Sequence, residues 1–515
     1  MFNNIPIPKS VKRWRSVLFA LIIITVVILA AIGFRNYQIK KLRRSAREVV
    51  PAQNEIQNQE ISLTQSNLSF NDSPFGFLYQ YVNWNIPLIQ DGYKAYGGFA
   101  GIQSLYKDLG IQWERGSCWQ SGEFCAAYKE NIGGNPIADF NEYIRLTNEN
   151  NINLLITIFS DLKNLSDVAD TTELNNYIES VKKMVGHYPT IKYWQIRNEI
   201  NFNKNNYDPP QREAKFVQMM SNAIKETCSD CKVVLGSSAN VDVKGDLVKI
   251  ETYFDPLLQE LSKIDVNRNY IDVFDYHFFA PNSYNPESYY RLLDGGIDTV
   301  KNLLGKYGYN KVSIWTTETM LFTTDGMNLI QKFTLPANYR NVNEKQQAKA
   351  LFKTYILGLS KGIKRMFWNK LTEGDWGKIF RFNYCGLVRN PDISGSSNKK
   401  LGFYTYKLMS EKLDGSDWEN VRTIQESDDI YIYEFTRNGK RIFVAWNDSS
   451  SVKRVTKSGF TSARIKVTEV IPKENKGGGL KDRDYPNFFK TEKKLVIRGE
   501  VTVSLGSNPV FIEEE

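Results

Sequence analysis

The sequence is poor in the side chains that hold transition metals. Its 515 residues include only two histidines and five cysteines. Cys228 and Cys231 have the Cys-x2-Cys spacing of half a zinc site, but no second such pair or nearby histidine completes it. We therefore expect no metal and no other cofactor. Two interpretations of the cysteines remain open: local disulfides Cys118–Cys125 and Cys228–Cys231 with Cys385 left over, as in an oxidising compartment, or buried free thiols.

Two common catalytic motifs do not occur in the structural setting that each needs. No Gly-x-Gly-x-x-Gly follows the first apolar run, so a dinucleotide-binding fold has no support. The single Gly-x-Ser-x-Gly, at residues 358–362, lies at the end of a segment predicted to be helical (344–359), so a serine nucleophile in a strand-to-helix turn is not indicated either. The chemistry has to come from other groups.

The folded part of the chain has no net charge. The formal charge of the whole chain is +9, and residues 1–50 carry ten Lys and Arg and a single Glu, which is the whole excess. The remaining residues hold 56 basic and 56 acidic side chains. A basic nucleic-acid-binding face is therefore unsupported, and no nucleic acid is expected as a partner.

The basic excess flanks an apolar run. Residues 1–16 are a basic segment, 17–34 are a stretch of 18 uncharged residues, and 35–72 are polar. A helix of this length just crosses a hydrocarbon core of about 30 Å. We predict a single-pass membrane anchor followed by a linker, with the folded part outside the cytoplasm. The competing interpretation is a cleaved signal peptide and a secreted protein.

From residue 73 onward, apolar strands alternate with helical segments. Continuous apolar strands suit a parallel sheet that is covered on both faces. Eight such pairs predict an α/β fold, a (β/α)8 (TIM) barrel over residues 73–415. The eight predicted strands are 75–79, 111–115, 152–159, 191–196, 232–236, 271–279, 311–315 and 364–368.

The last hundred residues follow a different pattern. Alternating segments at 430–433 and 441–446 flank Asn438-Gly439, a strong hairpin turn signal. Further alternating segments follow. Residues 416–515 are predicted to form a small all-β sandwich domain.

Polar residues stand where the predicted barrel strands end. One strand runs into Arg197-Asn198-Glu199, and another into Glu318. An ordinary Arg197–Glu199 ion pair is the alternative interpretation of the first cluster. Active sites of such barrels lie at the carboxyl ends of the strands. Two glutamates at that end, on opposite walls, can act as the acid and the nucleophile of glycoside hydrolysis.

This pattern resembles the clan A glycoside hydrolases, especially families 39 and 5. The resemblance implies that Glu199 is the acid/base and Glu318 the nucleophile. It also implies substrate binding by Arg115, Asn198, His277 and Trp368, the last as a sugar platform.

One position departs from the family pattern. Clan members often have His-x-Tyr on the sixth strand, where this chain has His277-Phe278-Phe279. Either Tyr276 supplies the missing hydroxyl or the subsite differs.

The sequence thus predicts a retaining glycoside hydrolase that acts on an oligo- or polysaccharide with β-linkages. The alternative function is a catalytically silent glycan-binding protein or an accessory protein of polysaccharide export on the same barrel.

Overall fold

The computed structural model describes nine stretches of the chain: residues 72–78, 98–121, 124–126, 136–159, 171–202, 209–242, 244–374, 380–390 and 398–515. The predicted basic segment, membrane anchor and nearly all of the polar linker lie outside these residues. Among the helices that are described, none has both the length and the apolarity that a membrane span requires.

Eight parallel strands close into a barrel, which confirms the predicted α/β class. The strands pair in the order β1-β9-β8-β7-β6-β5-β4-β2, and β1 returns to pair with β2. A short strand, β3, adds antiparallel to β2 outside this ring. The strands are β1 (Phe75–Leu78), β2 (Trp113–Ser121), β3 (Phe124–Ala126), β4 (Asn153–Phe159), β5 (Tyr193–Ile196), β6 (Lys232–Ala239), β7 (Val273–Phe279), β8 (Ser313–Met320) and β9 (Arg365–Trp368).

Helices follow the strands and cover the barrel. Their apolar faces join the strands in one large core that surrounds the sheet. The helices are α1 (Gly98–Leu109), α2 (Pro136–Glu149), α3 (Thr171–His187), α4 (Pro210–Thr227), α5 (Glu251–Ile264), α6 (Leu292–Lys306), α7 (Leu329–Phe333), α8 (Glu344–Ser360), α9 (Phe380–Asn383) and α10 (Leu401–Leu413).

Three strands run further than the apolar pattern predicted. β2 continues to Ser121 instead of ending at Arg115, β6 continues to Ala239, and β8 continues to Met320. The backbone ladder continues through polar residues, because β2 pairs with β4 as far as Trp119. Consequently Arg115 and Glu318 lie within strands rather than at their ends.

The C-terminal part is an antiparallel β-sheet domain. Its main sheet has the order β10-β11-β12-β17-β14-β15, and β13 pairs with β16 in a second, two-stranded sheet. Asn438 and Gly439 have positive φ in the turn between β11 and β12, as the hairpin signal predicted. The strands are β10 (Arg422–Ser427), β11 (Ile430–Arg437), β12 (Lys440–Asn447), β13 (Lys453–Ser458), β14 (Arg464–Glu469), β15 (Thr491–Leu495), β16 (Glu500–Leu505) and β17 (Val510–Glu514).

The two faces of the main sheet have different partners. Phe443 and Ile512 on one face pack with Val503 of the two-stranded sheet in a small core of their own. On the other face, Phe511 packs against Phe352 of α8 with ring centroids 5.5 Å apart. The predicted sandwich therefore has one large sheet and one small sheet. The barrel covers the face of the large sheet that the small sheet does not cover.

Both predicted disulfides are present, Cys118–Cys125 and Cys228–Cys231. Cys385 is buried as a free thiol. The structure therefore excludes the alternative interpretation, in which these four cysteines are buried free thiols.

A buried ion pair joins the barrel to the C-terminal sheet. Asp448 accepts hydrogen bonds from Lys353 of α8 (2.6 Å), Tyr290 (2.5 Å) and Arg291 (2.7 Å). The Trp446 indole donates to Tyr290 at 2.9 Å. The Lys353 side chain is only 2% exposed, so its charge depends on Asp448 for compensation.

We expect Asp448→Ala to lower the free energy of unfolding by about 3–5 kcal/mol, because it leaves the Lys353 ammonium buried without its counter-charge. Urea unfolding followed by tryptophan fluorescence measures this. The control is Glu419→Ala, whose carboxylate pairs with Lys364 at the surface. That change should cost less than about 1 kcal/mol. Equal losses in the two variants would contradict the role given to Asp448.

Candidate active site

Side chains inside the barrel form layers of opposite character. The lower layer is apolar, and its members pack as one cluster. Successive inward-facing positions on a strand are two residues apart, so each strand contributes to the next layer the residue two positions after its member of the apolar layer. The apolar layer comprises Trp113, Leu155, Tyr193, Val234, Val273, Trp315 and Phe367. The positions above it are Arg115, Thr157, Gln195, Gly236, Asp275, Thr317 and Asn369. Five of these carry hydrogen-bonding side chains that contact one another.

The end of β5 turns sharply and separates two neighbouring polar residues. Arg197 and Glu199 both have positive φ, 65° and 44°. Arg197 points away from the barrel interior, pairs with Glu213 at 2.9 Å and lies over the ring of Phe216. An Arg197–Glu199 ion pair is therefore not what this cluster forms. Glu199 is left to face the barrel interior.

Ser237 of β6 holds the residues of this turn in place. The backbone N–H of Glu199 donates to the Ser237 hydroxyl at 2.8 Å, and that hydroxyl donates to Asn198 Oδ1 at 2.9 Å. Arg115 Nη2 donates to the same oxygen at 2.6 Å. The Asn198 oxygen thus has two donors, and its amide NH2 group points away from them.

Arg115 connects both sides of the barrel. It is fully buried, and its Nη1 donates to Glu318 Oε1 at 2.5 Å. Its Nε donates to Gln195 at 2.8 Å and to Thr157 at 3.1 Å. These hydrogen bonds restrict the rotation of the guanidinium, so Arg115 in turn fixes the positions of the Glu318 carboxylate and the Asn198 amide.

His277 lies between the two glutamates. Its Nδ1 is 2.9 Å from Glu199 Oε1 and 3.8 Å from Glu318 Oε1. Its Nε2 is 3.1 Å from Asp275 Oδ2 and 3.2 Å from the Thr317 hydroxyl. Burial lowers the pKa of His277, but the surrounding carboxylates more than offset this and raise the pKa to about 9. The imidazole is therefore a cation at neutral pH.

The two glutamates approach each other closely. One carboxylate oxygen of Glu199, one of Glu318 and a ring nitrogen of His277 all lie within 4.8 Å of one another. Glu318 is 7% exposed, and burial raises its pKa above the usual value, although His277 and Arg115 act in the opposite direction.

Three groups at this spacing could surround a cation. The protein itself places the guanidinium of Arg115 against Glu318 and the imidazolium of His277 against Glu199 and Asp275. Two buried cations therefore already lie among these carboxylates.

Tyr276 does not join this cluster, which corrects the sequence prediction. Asp275 and His277 face the barrel interior, so Tyr276 between them points outward. There it packs against α6, where a side chain at Gly296 would collide with its hydroxyl. Tyr276 therefore does not supply the hydroxyl that is missing at Phe279. The other alternative, a subsite that differs from the family pattern, is the one that fits the structure.

Trp368 is also not an open platform. Its neighbour Phe367 packs in the apolar layer inside the barrel, and Trp368 is part of the core outside it. Its ring is fully buried, and the indole N–H donates to the carbonyl of Cys385 at 3.1 Å. Among the described residues, the strand end offers Asn369 instead, whose buried amide has no hydrogen-bond partner.

Sequence reasoning missed Asp275 and Gln195. Both belong to apolar strands and look like isolated polar interruptions. The signal that could have revealed them is the two-residue spacing. Gln195 stands two residues after Tyr193 of the apolar layer, and Asp275 stands two residues before His277.

No family model matches the chain, and no curated protein matches it. The fold, however, is similar to solved structures. A family 39 glycoside hydrolase from the gut symbiont Bacteroides cellulosilyticus WH2 has a TM-score of 0.56 and 13% identity, over 86% of this chain and 81% of that one. AbfB, a family 51 α-L-arabinofuranosidase from Bifidobacterium longum, has a TM-score of 0.55 and 13% identity, over 86% and 96%.

A 4-O-α-L-rhamnosyl-β-D-glucuronidase from Fusarium oxysporum 12S is similar to the same extent, with a TM-score of 0.54 and 13% identity over 86% of this chain and 96% of that one. At these identities the likeness concerns the fold. The resemblance to clan A glycoside hydrolases, and to family 39 among them, is confirmed at that level.

We expect Gly236→Ala to destabilise the protein by about 1–3 kcal/mol, because the added methyl would lie 2.5 Å from the carbonyl oxygen of Ile196 at the end of β5. Urea unfolding measures the change. The control is Gly295→Ala in α6, where nothing lies within 4 Å of the added methyl. That substitution should be neutral or stabilising by up to about 1 kcal/mol. A neutral Gly236→Ala would contradict the tight contact between β5 and β6.

Proposed function

We propose that this protein is a retaining glycoside hydrolase. The observation that carries the proposal is the approach of Glu199 and Glu318, whose nearest oxygens lie within 4.8 Å of each other. Retaining enzymes hold their two carboxyl groups about 5–5.5 Å apart, whereas inverting enzymes leave about 6.5–9.5 Å for a water molecule. The spacing favours direct attack on the sugar.

The charges around each glutamate support different roles. Glu318 is nearly buried and has two cations near it, Arg115 at 2.5 Å and His277 at 3.8 Å. Both favour the ionised carboxylate that a nucleophile must be. In the described part of the chain, His277 is the cation that contacts the Glu199 carboxylate, and the Glu199 side chain is 17% exposed. It is therefore placed to exchange protons with a leaving group and with water.

The reaction then proceeds in two balanced steps. Glu318 attacks the anomeric carbon while Glu199 gives its proton to the glycosidic oxygen, which leaves as an alcohol. Glu199, now a carboxylate, takes a proton from water as that water attacks the same carbon and releases Glu318. The anomeric configuration is inverted twice and so retained.

Two amides are available to hold the sugar. Asn198 has its oxygen bound by Arg115 and Ser237, so its NH2 group is the part left for a sugar hydroxyl, as the family resemblance implies. Asn369 follows β9 on the inward-facing row, and its buried amide has no partner among the described residues. A substrate hydroxyl would satisfy it. We propose a β-linked oligo- or polysaccharide as substrate.

The catalytically silent alternative is less well supported. A protein that only binds glycans has no need for two carboxylates with a buried cation on each side. Here Glu199, Glu318, Arg115 and His277 are all present and connected.

We also propose that the enzyme works outside the cytoplasm, held by the apolar segment 17–34. The two disulfides support an oxidising compartment, since such bonds are rare in reducing cytosol.

Replacing either glutamate by glutamine should remove activity on unactivated glycosides. Glu318→Gln loses the nucleophile and should show no turnover. Glu199→Gln should lose about 10²–10⁴-fold, less with aryl leaving groups that depart without a proton. Release of aryl alcohol from a panel of α- and β-aryl glycosides measures both. Glu419→Gln, at an exposed carboxylate, is the control. Turnover unchanged in both active-site variants would exclude the proposal.

The first-formed product should keep the anomeric configuration of the substrate. Proton NMR of the anomeric region, recorded within minutes of adding enzyme, distinguishes the two anomers before mutarotation mixes them. Retention is expected because no water fits between carboxylates this close. An inverted product would show that the sugar opens a wider gap than this structure has.

A further inference from the structure

One carboxylate inside the barrel has no part in the reaction steps above. Asp275 of β7 is completely buried. It accepts four hydrogen bonds: Oδ1 from the Thr317 backbone N–H at 3.0 Å, and Oδ2 from the Thr317 hydroxyl at 2.5 Å, Gln195 Nε2 at 2.6 Å and His277 Nε2 at 3.1 Å. Oδ2 thus has three donors around it and Oδ1 has one, which suits an ionised carboxylate, since that form only accepts hydrogen bonds.

These contacts favour the ionised form of Asp275. A protonated carboxyl would place a donor against groups that already donate to it. Burial by itself raises the pKa of Asp275, but the cationic His277 and the hydrogen bonds hold it below its usual value. The negative charge of Asp275 is thus stabilised by the groups around it, and Asp275 in turn holds those groups in one orientation.

Two chains of hydrogen bonds start at Asp275 and end at the two glutamates. The first passes through His277 to Glu199. The second passes through Gln195, whose Oε1 accepts from Arg115 at 2.8 Å, and from Arg115 to Glu318. Both chains lie inside the barrel among buried groups, where orientation is costly to change.

We propose that Asp275 is the positioning residue of this site, which orients Glu199 through His277 and Glu318 through Gln195 and Arg115. The roles of the two glutamates rest on the proposed function, but the placement of His277 does not. Asp275 touches no reacting atom, so it acts only through its neighbours.

Charge balance explains why the site needs this carboxylate. The groups that face His277 are Glu199 after β5, Glu318 on β8 and Asp275 on its own strand, and Arg115 of β2 lies beyond Glu318. With Glu199 protonated, the two cations are matched by Asp275 and Glu318. Without Asp275 the cluster would carry one excess positive charge, which favours loss of a proton from His277. A neutral imidazole has one ring N–H instead of two, so the hydrogen bond that orients Glu199 could be lost with it.

The test uses the chain's shortage of histidine. His187 is exposed at the end of α3, so a His187→Gln background leaves His277 as the single imidazole. The full chain, labelled with 15N-histidine, is titrated by NMR from pH 5 to 10. The wild-type imidazole should stay doubly protonated at pH 7 and lose its proton near pH 9. A neutral His277 at pH 7 in this protein would overturn the proposal, whether or not any variant folds.

Asp275→Asn should lower the His277 pKa by about one unit or more, a tenfold or greater loss of proton affinity. The structural control is Thr317→Val, which removes one hydrogen bond from Asp275 but keeps its charge. It should leave His277 a cation at pH 7. An unchanged titration in folded Asp275→Asn would overturn the proposal, and so would an equal shift in both variants.

The kinetic arm separates positioning from stability. With an aryl glycoside, Asp275→Asn should lower kcat by about 10²-fold with little change in KM, and should move the alkaline limb of the pH profile to lower pH. Equal loss of activity and of thermal stability, with an unmoved profile, would mean a purely structural role and overturn the proposal. If no glycoside is turned over by the wild type, the proposed function fails, while the titration still decides the placement of His277 by Asp275.

Discussion

The site depends on the mutual compensation of buried charges. Arg115, His277 and Asp275 are all fully buried, and Glu318 is nearly so. Each alone would cost several kcal/mol to bury. Together they satisfy one another, because the guanidinium binds Glu318 and the imidazolium binds Asp275 and Glu199. The same contacts that make burial tolerable also set the distance between the two glutamates. Stability and the proposed catalysis therefore rest on one set of interactions.

The barrel supplies the frame for that cluster. An apolar layer around Trp113 and Trp315 fills its lower part. The polar layer stands two residues higher on the same strands, where parallel pairing fixes each side chain relative to the next. The C-terminal sheet completes the packing by covering α8 with Phe511 and by holding Lys353 through Asp448.

Sequence reasoning predicted the α/β barrel and the central pairs of the site, for physical reasons. Eight apolar runs at regular spacing leave few other topologies, and polar groups after such runs meet at one end of a barrel. Glu199, Glu318, Arg115 and His277 were predicted in this way, and the structure brings all four together. Tyr276 and Trp368 were misplaced because inward and outward positions alternate, and strand register cannot be read from composition. Asp275 and Gln195 were missed because their importance lies in contacts between strands that are 80 residues apart.

The central claim is that Glu318 forms a covalent bond to the sugar. The most direct measurement is intact-mass and peptide analysis of the protein after treatment with a 2-deoxy-2-fluoro glycoside matched to the best substrate. The fluorine slows release of the intermediate, so it accumulates. The account predicts one added sugar per chain, on the peptide that contains Glu318. An adduct on another residue, or none in a preparation that hydrolyses the parent glycoside, would contradict it.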